Sequence, residues 1–506
     1  MVVVDTIGAI AIGRAQAFTW LVVLFVTFFI PSALASAELG AALPDEGGAY
    51  VWVRTAFGRG AGSLTSLLYW AGTPMWLGGS VTVVAITVVE RSSAPLGVVG
   101  KLAFGSVFVG VAALGAVIPL RYGKWIPSSG AIGQVVLLGV FTASVIAFGA
   151  VHGIQGVAIA DFVPSSATFI AVVPILLYSF VGIELPSTAG EEMVDPRRDI
   201  PAAIFRAGIA QAVLYGIPIL AVLVVLPAER ITSLHGLIDA MRTVFTVYGG
   251  HVASDGSVVL TGAGSVLSVA MSALFVWVLA ASGSAWIMGA GRAQAAACID
   301  GAGPSVLGRV NQRTGVPVVM GVVSGVVSLL AMAVFVLLTG GNGQRYFSAS
   351  LTVSIALIVL AYLLIFPSFL RLRKTHPGLP RPFRVPGGTA TATLVTVAAT
   401  GWSLLAAVNL LWPGFGTAQP DAALPAGFQG DRLTFELMVF VPLIVVAIVS
   451  VVFTRLGQRG VRQKEVLVVP GGSSRGPSLV RPGSSPSLGN VAEAEEGDIV
   501  SRQSEA

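Results

Sequence analysis

The chain has 506 residues, of which 55% are apolar and only 10% charged, with a mean hydropathy of +0.87 and a single cysteine, Cys298. Soluble domains carry about a quarter charged residues, so an ordinary soluble enzyme is excluded. One thiol cannot close an internal disulfide, which excludes a disulfide scaffold, and the apolar content excludes disorder over most of the length. The net charge of +5 would suit nucleic acid, but the cations sit in short loops between apolar runs, so no nucleic-acid partner is expected and the lipid bilayer is the predicted surrounding.

A hydrocarbon core about 30 Å thick takes about 20 apolar residues of helix. Runs of that kind lie at 18–43, 62–89, 97–120, 129–151, 164–188, 202–227, 263–298, 316–339, 345–372, 390–414 and 433–455, which predicts eleven spans. Met1 to Gly13 is apolar but too short to span alone. It reads as the second half of a twelfth, N-terminally truncated helix, with a start codon placed too late as the first explanation. A rival reading takes Phe18 to Ile30 and the small residues at 32–37 as a signal peptide. Against it, a polar break at Asp5 precedes that core and further spans follow directly.

Lysine and arginine test the topology. With the missing helix start in the cytoplasm, one set of loops together with the C-terminal tail holds 22 of the 29 cations, and the opposite set holds 7. Cytoplasmic loops collect Lys and Arg, so both termini are expected in the cytoplasm and the chain in the plasma membrane as a multi-pass protein. Composition changes abruptly near 455. Residues 1–455 form the predicted membrane domain. Residues 456–506, with Gly-Gly-Ser-Ser-Arg at 471–475 and an acidic cluster at Glu493, Glu495, Glu496 and Asp498, read as a disordered cytoplasmic tail. The longest external loop, 228–262, is expected to hold a short surface helix.

No catalytic motif, cofactor fingerprint or metal-ligand spacing stands out, so an enzyme is not expected. The informative residues are ionisable groups inside apolar runs, because a charge in hydrocarbon usually faces a protein interior or an aqueous cavity. Asp5 and Glu184 are the clear cases. Glu38 and Glu436, near span ends, read as reaching the interface. Glu184 lies in Tyr178-Ser179-Phe180-Val181-Gly182-Ile183-Glu184-Leu185-Pro186-Ser187. Pro186 favours a kink or break and Gly182 lowers the cost of non-helical backbone. Peptide groups freed at membrane depth are tolerated where they line a cavity, and there they would meet a polar ligand. A kinked structural helix is the plain alternative. Asp5-Thr6-Ile7-Gly8 again joins polar residues and glycine in an apolar setting. Interrupted helices at corresponding places in two halves point to a transporter site. Ser282-Gly283-Ser284-Ala285-Trp286 puts two hydroxyls and an indole on one helix, for a cavity wall or for packing.

Glu191-Glu192-Met193-Val194-Asp195-Pro196-Arg197-Arg198-Asp199-Ile200-Pro201, following Gly182-Ile183-Glu184, resembles the loop after the sixth helix in amino acid permeases of the amino acid–polyamine–organocation superfamily. Further matches are Glu38-Leu39 through Pro44, Gly47-Gly48, Tyr50 and Trp52, then Gly315-Val316-Pro317, and Arg381-Pro382-Phe383-Arg384-Val385-Pro386-Gly387-Gly388. They fall in order across residues 5–455. The resemblance implies an all-α integral membrane protein: a 12-helix transporter fold with a five-plus-five inverted repeat and two added C-terminal helices. It implies a substrate site at the bilayer midplane, where unwound backbone holds the amino and carboxylate groups. Carried over, the unwound segments are Asp5, Thr6, Ile7 and Gly8, and Ser179, Phe180, Val181 and Gly182. Tyr178 and Trp286 match aromatic positions flanking substrate, and Glu184 matches an acid linked to gating and proton coupling. Ser282 and Ser284 are candidates for helping to ligate sodium, so the coupling ion stays open between H+ and Na+. The span at 129–151 lacks the lysine of some proton-coupled relatives.

The expected function is therefore secondary active transport of amino acids or related amines by alternating access, as symport or exchange, with no cofactor. A transporter-like membrane sensor or scaffold that binds an amino acid without moving it is the second reading.

Overall fold

The computed structural model describes residues 4–466 apart from 46, 155, 157, 226–233 and 312. The chain divides into Met1–Val461 and Arg462–Ala506. Of the second unit, only the helical residues up to Val466 are described. The predicted tail from 467 onward, with its acidic cluster, lies outside the described residues, as do Met1 to Val3.

Every one of the eleven apolar runs falls on helix. A short first helix, α1 (Ile7–Ala11), leads through Gly13 into α2 (Arg14–Leu24), a π-helical turn (Phe25–Phe29) and α3 (Ile30–Ala42). Then come α4 (Ala49–Phe57), α5 (Arg59–Trp76), a second π-helical turn (Leu77–Val81) and α6 (Thr82–Ser92). α7 (Val98–Leu114), α8 (Leu120–Gly123), α9 (Trp125–His152), α10 (Ser166–Ser179) and α11 (Pro196–Val225) follow. α12 (Gly236–Phe245) precedes an antiparallel hairpin, β1 (Gly250–Val252) with β2 (Val258–Leu260), in which His251 sits opposite Val259. α13 (Gly262–Ile299), α14 (Val318–Leu338), α15 (Gly343–Thr375), α16 (Gly388–Leu411) and α17 (Arg432–Val466) complete the chain. Among the described residues nine helical stretches are long and apolar enough to cross a bilayer, so the chain is a multi-pass membrane protein. α7 and the helical part of 164–188 are shorter. The 164–188 run is two pieces, not one rod.

The interior is set by two posts. The α5–α6 stretch is 89% buried over its most apolar window and α15 is 72% buried, whereas α17 is only 22% buried. α15 packs on α5, α16 and α4. Side chains such as Ile444, Val445, Ile448 and Val451 on α17 point outward, the lipid-facing pattern of a helix apolar all round.

Two expectations are corrected by packing. The helix expected within 228–262 exists, but it is no surface helix. Leu237, Ile238, Met241, Val244 and Phe245 of α12 are buried, and the helix leans on α1, α9, α11 and α13. A Cβ on Gly236 would come within 3.3 Å of the Gly8 Cα, so the two glycines permit this close approach. Glu38 does not reach an interface. It is 1% exposed, and its carboxylate takes Arg373 in a fork (Nε–Oε1 2.8 Å), Arg381 Nε at 3.3 Å and the Val385 amide at 2.8 Å. Two of the sequence landmarks, Glu38-Leu39 and Arg381–Gly388, thus meet in one buried ionic knot. Glu436 does remain near a helix start, paired with Arg432 at 3.2 Å and part-exposed.

Candidate functional site

The second interruption is built from Gly182 outward. α10 ends at Ser179, residues 180–184 form turns, and a 3-10 helix runs over Leu185–Glu192. Gly182 has φ +92°, a conformation that side chains rarely adopt. A Cβ there would also press on the Trp286 ring at 2.9 Å. The freed peptide groups find tertiary partners. Gln211 Nε2 of α11 donates to the Ser179 carbonyl, and the Gly182 amide donates to Tyr362 Oη at 3.4 Å. Tyr362, on the buried post α15, in turn donates to the Glu184 carboxylate, 3.1 Å from Oε1 and 3.0 Å from Oε2. Glu184 is 3% exposed. Ser179 is the last helical residue, so the non-α segment starts one position later than the sequence suggests.

The first interruption is shorter than expected. Val4–Thr6 is a 3-10 turn, and α1 then takes in Ile7 and Gly8, which are therefore helical and not unwound. Gly8 serves the contact with α12. Asp5 and Thr6 keep non-α backbone and are buried. Asp5 Oδ2 accepts from Ser80 Oγ at 3.0 Å and from Trp76 Nε1 at 3.2 Å, while Oδ1 has no hydrogen-bond partner among the described residues. Ser80 lies in the π-helical turn between α5 and α6, where Gly79 is non-helical (φ −95°, ψ −112°), and Trp76 is the last residue of α5 before it. π-turns recur at functional sites because they re-aim side chains. Here Pro74 has already weakened the helix, and Tyr346 Oη of α15 binds the Gly78 carbonyl.

Aromatic rings join the two carboxylates. The Trp286 ring of α13 lies 6.0 Å from Trp76 and 6.4 Å from Tyr69, and it covers Gly182. Tyr69 and Glu184 line one small cavity of about 10 Å³. Tyr178 is buried in the last turn of α10. Phe180 and Val181 are buried too, Phe180 against Phe25 and Phe29 at 6.1 and 5.4 Å. A much larger, mainly apolar cavity of about 650 Å³ lies against α1 and α10. Ala9, Ile12, Pro174 and Ile175 line it from the interrupted helices, and Leu351 and Ile355 from α15. A drug-sized ligand needs roughly 300–1,000 Å³.

Ser282 and Ser284 are both buried, with hydroxyls that have no hydrogen-bond partner among the described residues. They do not converge. Residues two apart on a helix point to different sides. Ser284 meets Gly115, where a Cβ would sit 1.8 Å from its Oγ, whereas Ser282 lies one turn from Trp286. One ion could take at most one hydroxyl from this pair. Among the described residues no cluster of three His, Cys, Asp or Glu could hold a metal.

The sequence reading missed Trp76, Ser80, Tyr69, Tyr362 and Gln211. Trp76 and Ser80 had a local signal, since a Trp and a Ser four apart flank Gly78-Gly79. The tyrosines and Gln211 had none.

Residues 1–424 match the signature of the family described as amino acid permease. The chain is similar to an uncharacterized transporter of Legionella pneumophila (lpg1691), with 28% identity over 78% of this chain and 84% of the relative. It is similar to the probable agmatine/putrescine antiporter AguD of Lactococcus lactis, 27% identical over 74% and 77%. A glutamate/gamma-aminobutyrate antiporter of the same organism is 24% identical over 58% and 54%.

Proposed function

The chain belongs to the amino acid permease family, whose members are membrane transporters and not enzymes, and from that premise we propose that it is a secondary transporter exchanging amino acids or related amines by alternating access. The observation that carries the reading is the pair of buried carboxylates, Asp5 and Glu184, one at each helix interruption, joined by Trp76, Trp286 and Tyr69. Fixed peptide dipoles and the idle Oδ1 of Asp5 supply what an ammonium group loses when it leaves water. Among amino acids and amines, this favours a substrate carrying positive charge, in line with the agmatine and putrescine of one named relative. That both named functional relatives are antiporters supports exchange over symport. In this reading residues 1–455 are the transport domain, with a five-plus-five inverted repeat about the two interruptions and two further helices. It sits in the plasma membrane with both termini cytoplasmic, as the cation distribution favours. Substrate is held by Asp5, Thr6, Tyr178, Ser179, Phe180, Val181, Gly182 and Trp286. Glu184 takes and returns a proton in each cycle, which makes H+ the favoured coupling ion.

Counterflow in proteoliposomes tests this. Radiolabelled agmatine, putrescine, L-arginine and L-glutamate are offered to liposomes preloaded with the same compound unlabelled. Accumulation of a cationic member, lost in Asp5→Asn, is expected. Binding without counterflow of any of them would establish a sensor instead.

A further inference from the structure

From Glu184 a line of hydroxyls leads out of the protein. The cavity of about 10 Å³ that touches Glu184 is also lined by Tyr69, Thr65, Ser66, Thr188 and Tyr50. That volume is close to what one water oxygen needs. The walls suit a water. Thr65, Ser66 and Thr188 direct their protons at the backbone carbonyls of Ala61, Ser63 and Leu185, at 2.9, 3.2 and 2.8 Å, so each oxygen retains lone pairs to accept a hydrogen bond. Tyr69 Oη is buried and stands beside the Glu184 carboxyl. An internal water requires two to four polar partners, and this cavity has them.

The line continues beyond the cavity. Tyr50 of α4 donates from Oη to Asp300 Oδ2 at the end of α13. Asp300 also pairs with Arg54, one turn after Tyr50, and the two side chains are 30% and 33% exposed. A buried carboxyl, a water-sized gap, a tyrosine hydroxyl and a carboxylate touching solvent therefore stand in series. The groups facing this series are Tyr362 and Tyr69 at the Glu184 end, and Arg54 at the Asp300 end.

We propose that one internal water occupies this cavity and that Glu184 exchanges its proton with bulk water through that water, Tyr50 and Asp300. This rests on the reading of Glu184 as the proton-carrying group. The step balances. The Glu184 carboxylic acid gives its proton to the water, the water passes a different proton to Tyr50 Oη, and the hydroxyl proton of Tyr50 moves to the Asp300 carboxylate and leaves to solvent. Water and tyrosine end unchanged, and one proton has crossed. Arg54 holds the Asp300 carboxylate against Tyr50 and keeps it an acceptor. Residues assigned to the route are Tyr50 and Asp300, neither of which touches the substrate groups named above.

The full chain is reconstituted in liposomes containing the pH-sensitive dye pyranine, with a mixture of agmatine, putrescine, L-arginine and L-glutamate as the probe. Two quantities are read: the change in lumen pH on adding the mixture, and counterflow of the radiolabelled members, which needs no net proton movement. Tyr50→Phe keeps the ring and removes the hydroxyl. It is expected to retain counterflow within about twofold and lose the pH signal by about tenfold or more. Ser66→Val fills the water space, leaves Tyr50, Asp300 and Arg54 in place, and is expected to do the same. Equal loss of both readouts in both variants would mean a structural role and overturn the route. An intact pH signal in both would send the proton elsewhere and overturn it too, leaving Glu184 as carrier. A wild-type chain that shows counterflow with no pH signal would remove proton coupling and the route together, without touching exchange.

Discussion

The single hydroxyl of Tyr362 reaches both oxygens of Glu184, at 3.1 and 3.0 Å, while accepting from the Gly182 amide at 3.4 Å. One side chain on the buried post α15 therefore ties a carboxylate and an irregular peptide together. A hydrogen bond to a charged group contributes about 1.5–3 kcal/mol. Tyr362→Phe is expected to lower initial uptake by roughly tenfold or more, 1.4 kcal/mol being tenfold, with membrane yield unchanged. Uptake at the wild-type rate, measured in proteoliposomes, would count against the tie.

Gly182 is held by two constraints, its φ of +92° and the Trp286 ring 2.9 Å from where a Cβ would stand. Strain of that kind costs of order 1–3 kcal/mol. Gly182→Ala should abolish uptake and lower the midpoint of thermal unfolding in detergent. Gly216 is the control. It sits inside α11, and its added methyl would only touch Leu21 and Phe18 at ordinary van der Waals distance. There Gly→Ala should raise the midpoint slightly, since alanine is better in helices by about 1 kcal/mol.

Glu38 and Arg373 are 2% and 8% exposed as side chains. Removing one partner of a buried pair costs about 3–5 kcal/mol, because the other charge is left alone. Glu38→Ala and Arg373→Met should each cut thermal stability sharply. The double variant should lose less than the sum of the two, the coupling a double-mutant cycle reads. Additive losses would deny the pairing.

His235 is the N-cap residue immediately before α12, outside the spans. Burial, and then the charge of Arg91, push its imidazole below the ordinary value of 6.5, against the opposite pull of Asp239 and Glu90. The unfolded chain takes a proton that the folded chain resists. Stability is therefore full above about pH 6.5 and falls as pH drops through the unfolded value toward the lower folded one. A lower unfolding midpoint at pH 5 than at pH 7 is expected, with the gap narrowed in His235→Gln. An equal gap in the two proteins would show that His235 is not its source.

The spans were legible because a bilayer imposes one length and one composition on every crossing helix. The break at Gly182 was legible because glycine and Pro186 change the backbone itself. Asp5 was legible as a charge out of place. What the two buried carboxylates touch was not: Trp76 and Ser80 at Asp5, and Tyr362 at Glu184, are residue types that ordinary packing also uses, and their positions are a product of the bulge at Leu77–Val81 and of α15 passing close by. Gly8 misled for the related reason that glycine serves both close packing and unwinding. Glu38 misled because its partners, Arg373 and Arg381, lie more than three hundred residues along the chain.

The large cavity beside α1 and α10 has no counterpart of similar size around Glu184, where the space is about 10 Å³. Such lopsidedness gives the molecule a handedness with respect to poisons. The roomy chamber runs onto the loop between α16 and α17, through Pro413, Thr417 and Gln419, so a bulky, membrane-impermeant compound shaped to it is expected to arrest the cycle from the vesicle face that carries this loop and to be harmless from the other, and sidedness of inhibition then reads the orientation of the reconstituted protein.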